Sequence, residues 1–254
     1  MLSIYFVVFV IGSLWGSFCN VCIYRLPNNE NIVSDRSKCR SCKKIISWYD
    51  NIPLISYLVL KGKCRCRKIK IDFRYFIVEL ITGLSFLLIF YLYGITITTL
   101  LLIVLMIFFV IIFYIDLDHF IIPNGLTFPL MIIGFLKSFD PNINLNLFPN
   151  YVDSLIGGLF GYILIWGIIT LYMKIRKKEG MGLGDAKLLA AIGFWFGWYS
   201  IPYVIFLSSL SALVVSLPGL INKSKNMSSQ IPFGPYLIFG TVAYLVVRNY
   251  LTFI

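Results

Sequence analysis

LLLIVLMIFFVIIFYI, the stretch from Leu100 to Ile115, carries no charged side chain and is followed at once by Asp116. A run of this polarity reads as a helix crossing a hydrocarbon core, for which about 20 residues are needed. Comparable runs at 3–24, 76–93, 125–137, 153–173, 187–199, 202–220 and 235–252, together with 98–115, predict about eight spans. Composition agrees, because 59% apolar residues, 13% charged residues and a mean hydropathy of +0.87 are far from those of an ordinary soluble domain. The expected fold class is all-α: a polytopic membrane protein of about eight transmembrane helices with a small cytoplasmic cysteine-rich loop domain. Three parts follow: an N-terminal transmembrane helix at 1–24, a cytoplasmic loop domain at 25–75, and a transmembrane domain at 76–254. The first run has no basic residue before it and no small-residue cleavage site after it, so it is expected to be an anchor rather than a cleaved signal peptide.

Charge sets the orientation. Most of the 22 Lys and Arg residues fall between Arg25 and Arg74, with further groups at Lys174, Arg176, Lys177 and Lys178 and at Lys223 and Lys225. Loops rich in Lys and Arg stay cytoplasmic, so these should lie inside and both termini outside. The net charge of +11 is mostly this topological signal. It would also hold anionic lipid headgroups. Nucleic acid is not an expected partner, because the basic residues flank spans without an interleaved aromatic platform.

A carboxylate at the edge of a membrane segment is expensive and asks for a purpose. Asp185 is one, in Gly180-Met181-Gly182-Leu183-Gly184-Asp185-Ala186-Lys187, and Asp116 is the other. The expected topology puts both at the cytoplasmic edge. Two carboxylates about 4 Å apart repel by about 4 kcal/mol at an effective dielectric near 20. That is roughly three pKa units, enough for one of them to hold a proton near neutrality. One ionised and one protonated carboxyl can activate water and polarise a peptide carbonyl, which is aspartyl protease chemistry. Gly182 and Gly184, lacking Cβ, would let the backbone bend before Asp185 and let a substrate strand approach. The alternative is a glycine-rich turn whose Asp caps the next helix. Asp118 lies about 200° round the helix from Asp116, so one of the two faces a given pocket. His119, the sole histidine, reads as a polar end group rather than a ligand.

The basic loop holds Cys39-Arg40-Ser41-Cys42 and Cys64-Arg65-Cys66. Two thiol pairs in a reducing compartment point to tetrahedral Zn²⁺ rather than disulfides, and the surrounding cations would offset the charge of four thiolates. Such a metal would explain how so short a loop folds. The alternative is four free thiols. Cys19 and Cys22 lie inside the first apolar run and read as packing residues.

Several ordered motifs resemble those of the bacterial type IV prepilin peptidases. They are Gly16-Ser17-Phe18 with Asn20, Tyr24-Arg25-Leu26-Pro27, Asn51-Ile52-Pro53-Leu54-Ile55-Ser56-Tyr57, Lys61-Gly62-Lys63-Cys64, Val78-Glu79-Leu80, Ile115-Asp116-Leu117-Asp118, Gly180 to Lys187, and Ile231-Pro232-Phe233-Gly234-Pro235-Tyr236-Leu237. The resemblance runs from about residue 12 to residue 240 and implies a bifunctional leader peptidase and N-methyltransferase. It implies Asp116 and Asp185 as the catalytic pair, with Gly182, Gly184 and Lys187 in the supporting turn. It further implies Gly62 and Lys63 in methyl transfer from S-adenosylmethionine, and Cys39, Cys42, Cys64 and Cys66 as the metal-binding tetrad. The implied partners are prepilins or pseudopilins, cut on the cytoplasmic side after the Gly that ends a basic leader, and the lipid bilayer of the inner membrane. The sequence departs from the family pattern in the one-residue-short Cys64-x-Cys66 and at Phe76, where Pro commonly follows Arg-Tyr. Two other functions fit part of the pattern: a cation or proton transporter using Asp116 and Asp185, and a catalytically silent membrane scaffold.

Overall fold

A computed structural model describes residues 2–32, 39, 45–65, 69–140, 147–177, 182–221 and 231–252. The described residues are helical, with no strand beyond an isolated bridge between Lys63 and Lys70. In chain order the α-helices are α1 (Leu2–Arg25), α2 (Ile55–Val59), α3 (Arg74–Tyr93), α4 (Ile97–His119), α5 (Asn124–Leu136), α6 (Tyr151–Arg176), α7 (Leu183–Phe196), α8 (Ser200–Ile221) and α9 (Gly234–Thr252). Short 3-10 turns stand at Trp48–Asn51 and Lys137–Phe139.

Five of these helices, α1, α3, α4, α6 and α8, are long and apolar enough to cross a membrane among the described residues. This is fewer than the eight spans expected. Two of the three remaining apolar runs lie in shorter helices, α5 and α7, and the reasons are local. Helix α5 carries Pro129 and gives way to a 3-10 turn after Leu136. Helix α7 has 14 residues and ends at Gly197, whose φ of 79° a side chain would oppose. The third run lies in α9, a helix of 19 residues.

The chain divides into two compact units, residues 1–111 and 112–254, with the division inside α4. In the first unit α1 packs along α3. Close approach requires small residues: a methyl added at Gly12 would come within 2.8 Å of Phe86 Cβ, and one at Gly16 within 2.7 Å of Glu79 Cα. This is the small-xxx-small pattern that lets two backbones meet where lipid gives no hydrophobic drive. Asn20, one turn further, donates from Nδ2 to the Tyr75 carbonyl at 3.1 Å.

In the second unit α7 is central, packed by α5, α6, α8 and α9. Ala186, Leu188 to Gly193, Trp195 and Phe196 are all buried. A helix apolar on every side is one enclosed by protein, which explains why so short a run is so uniformly hydrophobic. Gly157 and Gly193 sit face to face, each backbone where the other's Cβ would be, while Gly161 meets the Leu189 carbonyl. The C-terminal carbonyls of α7 find side-chain donors: Ser154 Oγ reaches Phe194 O at 2.7 Å, and Lys137 Nζ reaches Trp195 O at 2.9 Å. Those bonds answer the orphan acceptors of a helix end. They fix the end of α7 opposite the candidate site.

Candidate active site

Asp116 lies in the last turn of α4 and is 4% exposed, whereas Asp118 and His119 are exposed. The helical offset between Asp116 and Asp118 therefore separates them as the sequence implies. Asp116 Oδ2 accepts from the Gly234 backbone N–H at 2.9 Å. Gly234 opens α9, so its N–H has no intrahelical acceptor, and Pro235 after it has no N–H to compete. A methyl added at Gly234 would come within 2.7 Å of the same Oδ2. In the sequence, residues 231–237 stand only as one of the ordered motifs, and this bond is not readable from them. Its one signal was a glycine–proline pair at a helix start.

Asp185 is 8% exposed and stands in the first turn of α7, two residues before the apolar run that begins at 187. Its own N–H donates to the Gly182 carbonyl at 3.2 Å. Gly182 is the N-cap residue, so Asp185 does not cap the helix. Burial pushes the Asp185 carboxyl up to about 7, and the Asp116 charge acts in the same direction. The two carboxylates are thus within electrostatic reach inside one unit. Ile122 is wedged beside both: a methyl at Gly184 would meet Ile122 Cβ at 3.0 Å, and one at Gly234 would meet Ile122 Cδ1 at 3.1 Å.

The glycines before Asp185 work differently from the expected flexible turn. Gly182 has φ −81° and ψ 147°, open to any residue, and its missing Cβ leaves space beside Asp185 Oδ2. Gly184 is already helical and serves close packing against Ile122. Lys187 Nζ donates to Asn124 Oδ1 at 2.7 Å, tying the start of α7 to the start of α5.

In the first unit, Gly62 has φ +64°, and its N–H donates to Tyr57 O at 2.9 Å while its carbonyl accepts from Ile71 N at 2.7 Å. Glycine is favoured there because a left-handed backbone costs it no strain. Lys63 follows in the bridge to Lys70. Cys64 is buried, and the Cys39 and Cys64 sulfurs lie 3.4 Å apart. That is too long for a disulfide, and near the roughly 3.8 Å separating two thiolates on one tetrahedral zinc. Cys42 and Cys66 lie outside the described residues, among which no group of three or more metal-ligating side chains is found. The same unit holds a cavity of about 290 Å³, with Ser17, Phe18, Arg25 and Asn51 among its lining.

Two family models match the chain: the bacterial peptidase A24 N-terminal domain over residues 10–93, and the type IV leader peptidase family over residues 103–217. Relatives named prepilin leader peptidase/N-methyltransferase are similar over most of the chain. That of Pseudomonas aeruginosa is 35% identical over 272 residues, covering 96% of this chain and 92% of the relative. That of Aeromonas salmonicida is 36% identical over 271 residues, with 94% and 89% covered. That of Neisseria gonorrhoeae is 33% identical over 252 residues, with 90% and 85% covered. No solved structure matches.

Proposed function

The chain belongs to the type IV leader peptidase family, and from that premise we propose which residues carry its two reactions. It is a multi-pass membrane enzyme that removes the leader of prepilins and methylates the N-terminus so exposed. A transporter or a silent scaffold has no support beside this.

Asp116 and Asp185 are the catalytic pair of the peptidase. The observation that carries this is their shared burial in the second unit, with the Asp116 charge felt at Asp185. Asp185, with its carboxyl near 7, holds the proton, and Asp116 is the base. Asp116 takes a proton from water, and the resulting hydroxide adds to the carbonyl carbon of the leader's last residue while the Asp185 proton hydrogen-bonds the carbonyl oxygen. When the tetrahedral intermediate collapses, the C–N bond breaks and the proton held by Asp116 passes to the leaving amine. Gly234 fixes the orientation of Asp116, and the space beside Gly182 admits the substrate backbone. Eight spans, both termini outside and the Cys loop in the cytoplasm remain the topology we favour. A prepilin with its basic leader inside then presents its junction at the depth of Asp116 and Asp185.

Residues 25–75 form the methyl-transfer part, supported by the left-handed turn at Gly62 and by a cavity in the same unit, whose Ser17 and Asn51 offer hydrogen bonds. Gly62 and Lys63 would hold S-adenosylmethionine, and that donor supplies a methyl group on a sulfonium. The Cys39–Cys64 spacing fits zinc, which Cys39, Cys42, Cys64 and Cys66 would hold and which would cross-link the loop. Asp116→Asn or Asp185→Asn should lower leader cleavage about 10²–10⁴-fold while the protein still inserts. Mass spectrometry of a purified prepilin after incubation, scoring leader loss and methyl gain separately, checks this. Retained cleavage in either variant would overturn the assignment.

A further inference from the structure

Glu79 is an acidic side chain in the membrane span α3, 8% exposed, and neither reaction has used it. A carboxylate so placed is costly unless its lone pairs are taken, and it is a functional candidate by default. Its partners come from two other parts of the first unit. Oε2 accepts from the Leu54 backbone N–H at 2.8 Å, and the Ser17 hydroxyl of α1 lies close enough to act on the same carboxylate. Gly16 lets α1 come close enough, since a methyl there would strike the Glu79 backbone. Three motifs far apart in sequence, Gly16-Ser17, Asn51 to Tyr57 and Val78-Glu79-Leu80, therefore converge on one carboxylate.

What Glu79 holds is strained. Leu54 has φ 60° and ψ −51°, and Ile55 N–H donates to Pro53 O at 2.6 Å across it. These are the marks of the γ-turn with positive φ, a rare and strained conformation that persists where its surroundings over-determine it. From this turn the chain runs directly into α2. Tyr57 of α2 then accepts the Gly62 N–H, and Gly62 O accepts from Ile71. Ser17, and Asn51 three residues before Leu54, both line the cavity.

We propose that Glu79 is a positioning residue for methyl transfer: it pins the Leu54 γ-turn and Ser17, and so sets the cavity wall and the Gly62–Lys63 loop. The inference rests on the reading of residues 25–75 as the methyl-transfer part. Glu79 touches neither donor nor amine; it acts through Leu54 and Ser17.

The test uses the full-length protein in lipid vesicles with a purified prepilin and S-adenosylmethionine, reading leader loss and methyl gain by mass spectrometry. Glu79→Gln, which keeps shape and loses the charge, should lower methyl gain at least tenfold, with a raised KM for the donor, and leave leader loss within threefold. Leu54→Gly accepts positive φ without strain, and in the Glu79→Gln background it should restore methyl gain threefold or more. A merely structural defect would not be rescued by a glycine at that position. Normal methyl gain in Glu79→Gln, equal loss of both activities, or no rescue by Leu54→Gly would each overturn the proposal. Lys63→Ala separates the underlying reading: if it methylates normally, residues 25–75 are not the methyl-transfer part, whatever Glu79 does.

Discussion

The two candidate sites are held by different physics. Around Asp116 and Asp185 the work is done by whole helices: α7 is enclosed by four neighbours, and the start of α9 points an N–H at Asp116. Around Gly62 and Lys63 it is done by turns, where a positive-φ glycine, a γ-turn and a buried carboxylate replace interhelical packing. A site built on packed helices tolerates almost no added volume at its backbone contacts. A site built on turns tolerates volume and fails through backbone strain. The contrast can be broken by substitutions that add one methyl group to each.

Gly234→Ala should have the largest effect of this kind. The added Cβ lies 2.7 Å from Asp116 Oδ2, inside contact distance of a group that must keep its place. Cleavage should fall about a hundredfold or more, as expected when a catalytic group is displaced by about 1 Å. Methyl gain on a pilin supplied without its leader should be unchanged. Kinetics on the two substrates check this, and a loss of both activities would erase the distinction between the sites.

Gly62→Ala should be milder and opposite in pattern. Left-handed backbone costs a non-glycine residue roughly 1–2 kcal/mol. The new methyl also meets Tyr57 Oη at 2.8 Å, the far end of a side chain that can shift. Methyl gain should fall about tenfold with cleavage unaffected, and Tyr57→Phe, which removes the hydroxyl, should recover part of it. A hundredfold loss that Tyr57→Phe cannot relieve would mean that the turn is as tightly packed as the helical site.

The carboxyl pair adds a dependence on pH. Asp185 is raised to about 7, so it keeps its proton below that pH and loses it above. The active form holds one proton between the two acids, and cleavage should therefore decline on the alkaline side with an apparent pKa near 7 that belongs to the pair. On the proposed assignment, methyl transfer draws on no group of that pair. Its profile on pre-cleaved pilin should show no break attributable to it, so superimposable profiles would count against separate sites.

Sequence showed the two sites unequally. Asp116 and Asp185 were legible because a charge beside an apolar run has few inexpensive explanations. The Gly234 donor was not, because a backbone N–H leaves no mark in a sequence beyond its glycine. The apolar run read from residue 187 starts four residues after the helix does, since Gly182 and Gly184 are poor helix formers; close packing against Ile122 outweighs that propensity at Gly184. Eight apolar runs were readable, but burial of α7 by protein produces the same hydrophobicity as burial by lipid. Glu79 and Leu54 were quoted only as parts of separate motifs, because a contact between residues 25 apart in sequence follows from tertiary packing.

The smallest expected effect tests whether the helical site extends to its exposed rim. Lys187 follows Asp185 by two residues, and its ammonium donates to Asn124 Oδ1 at 2.7 Å while passing over the Phe128 ring at 5.6 Å. The bond ties α7 to α5 at the open end of the second unit, but it is exposed to solvent, where polar contacts are worth about 1 kcal/mol or less. Packing of α7 along its whole length already fixes Asp185, so Lys187→Met should lower cleavage by no more than about fivefold, with KM and kcat moving together. Asn124→Ala should reproduce it, and the double variant should be no worse than either single one, as for partners in one contact. A hundredfold loss in Lys187→Met with none in Asn124→Ala would show that the ammonium meets the substrate itself, and the peptidase site would then rest on an exposed cation as well as on enclosed helices.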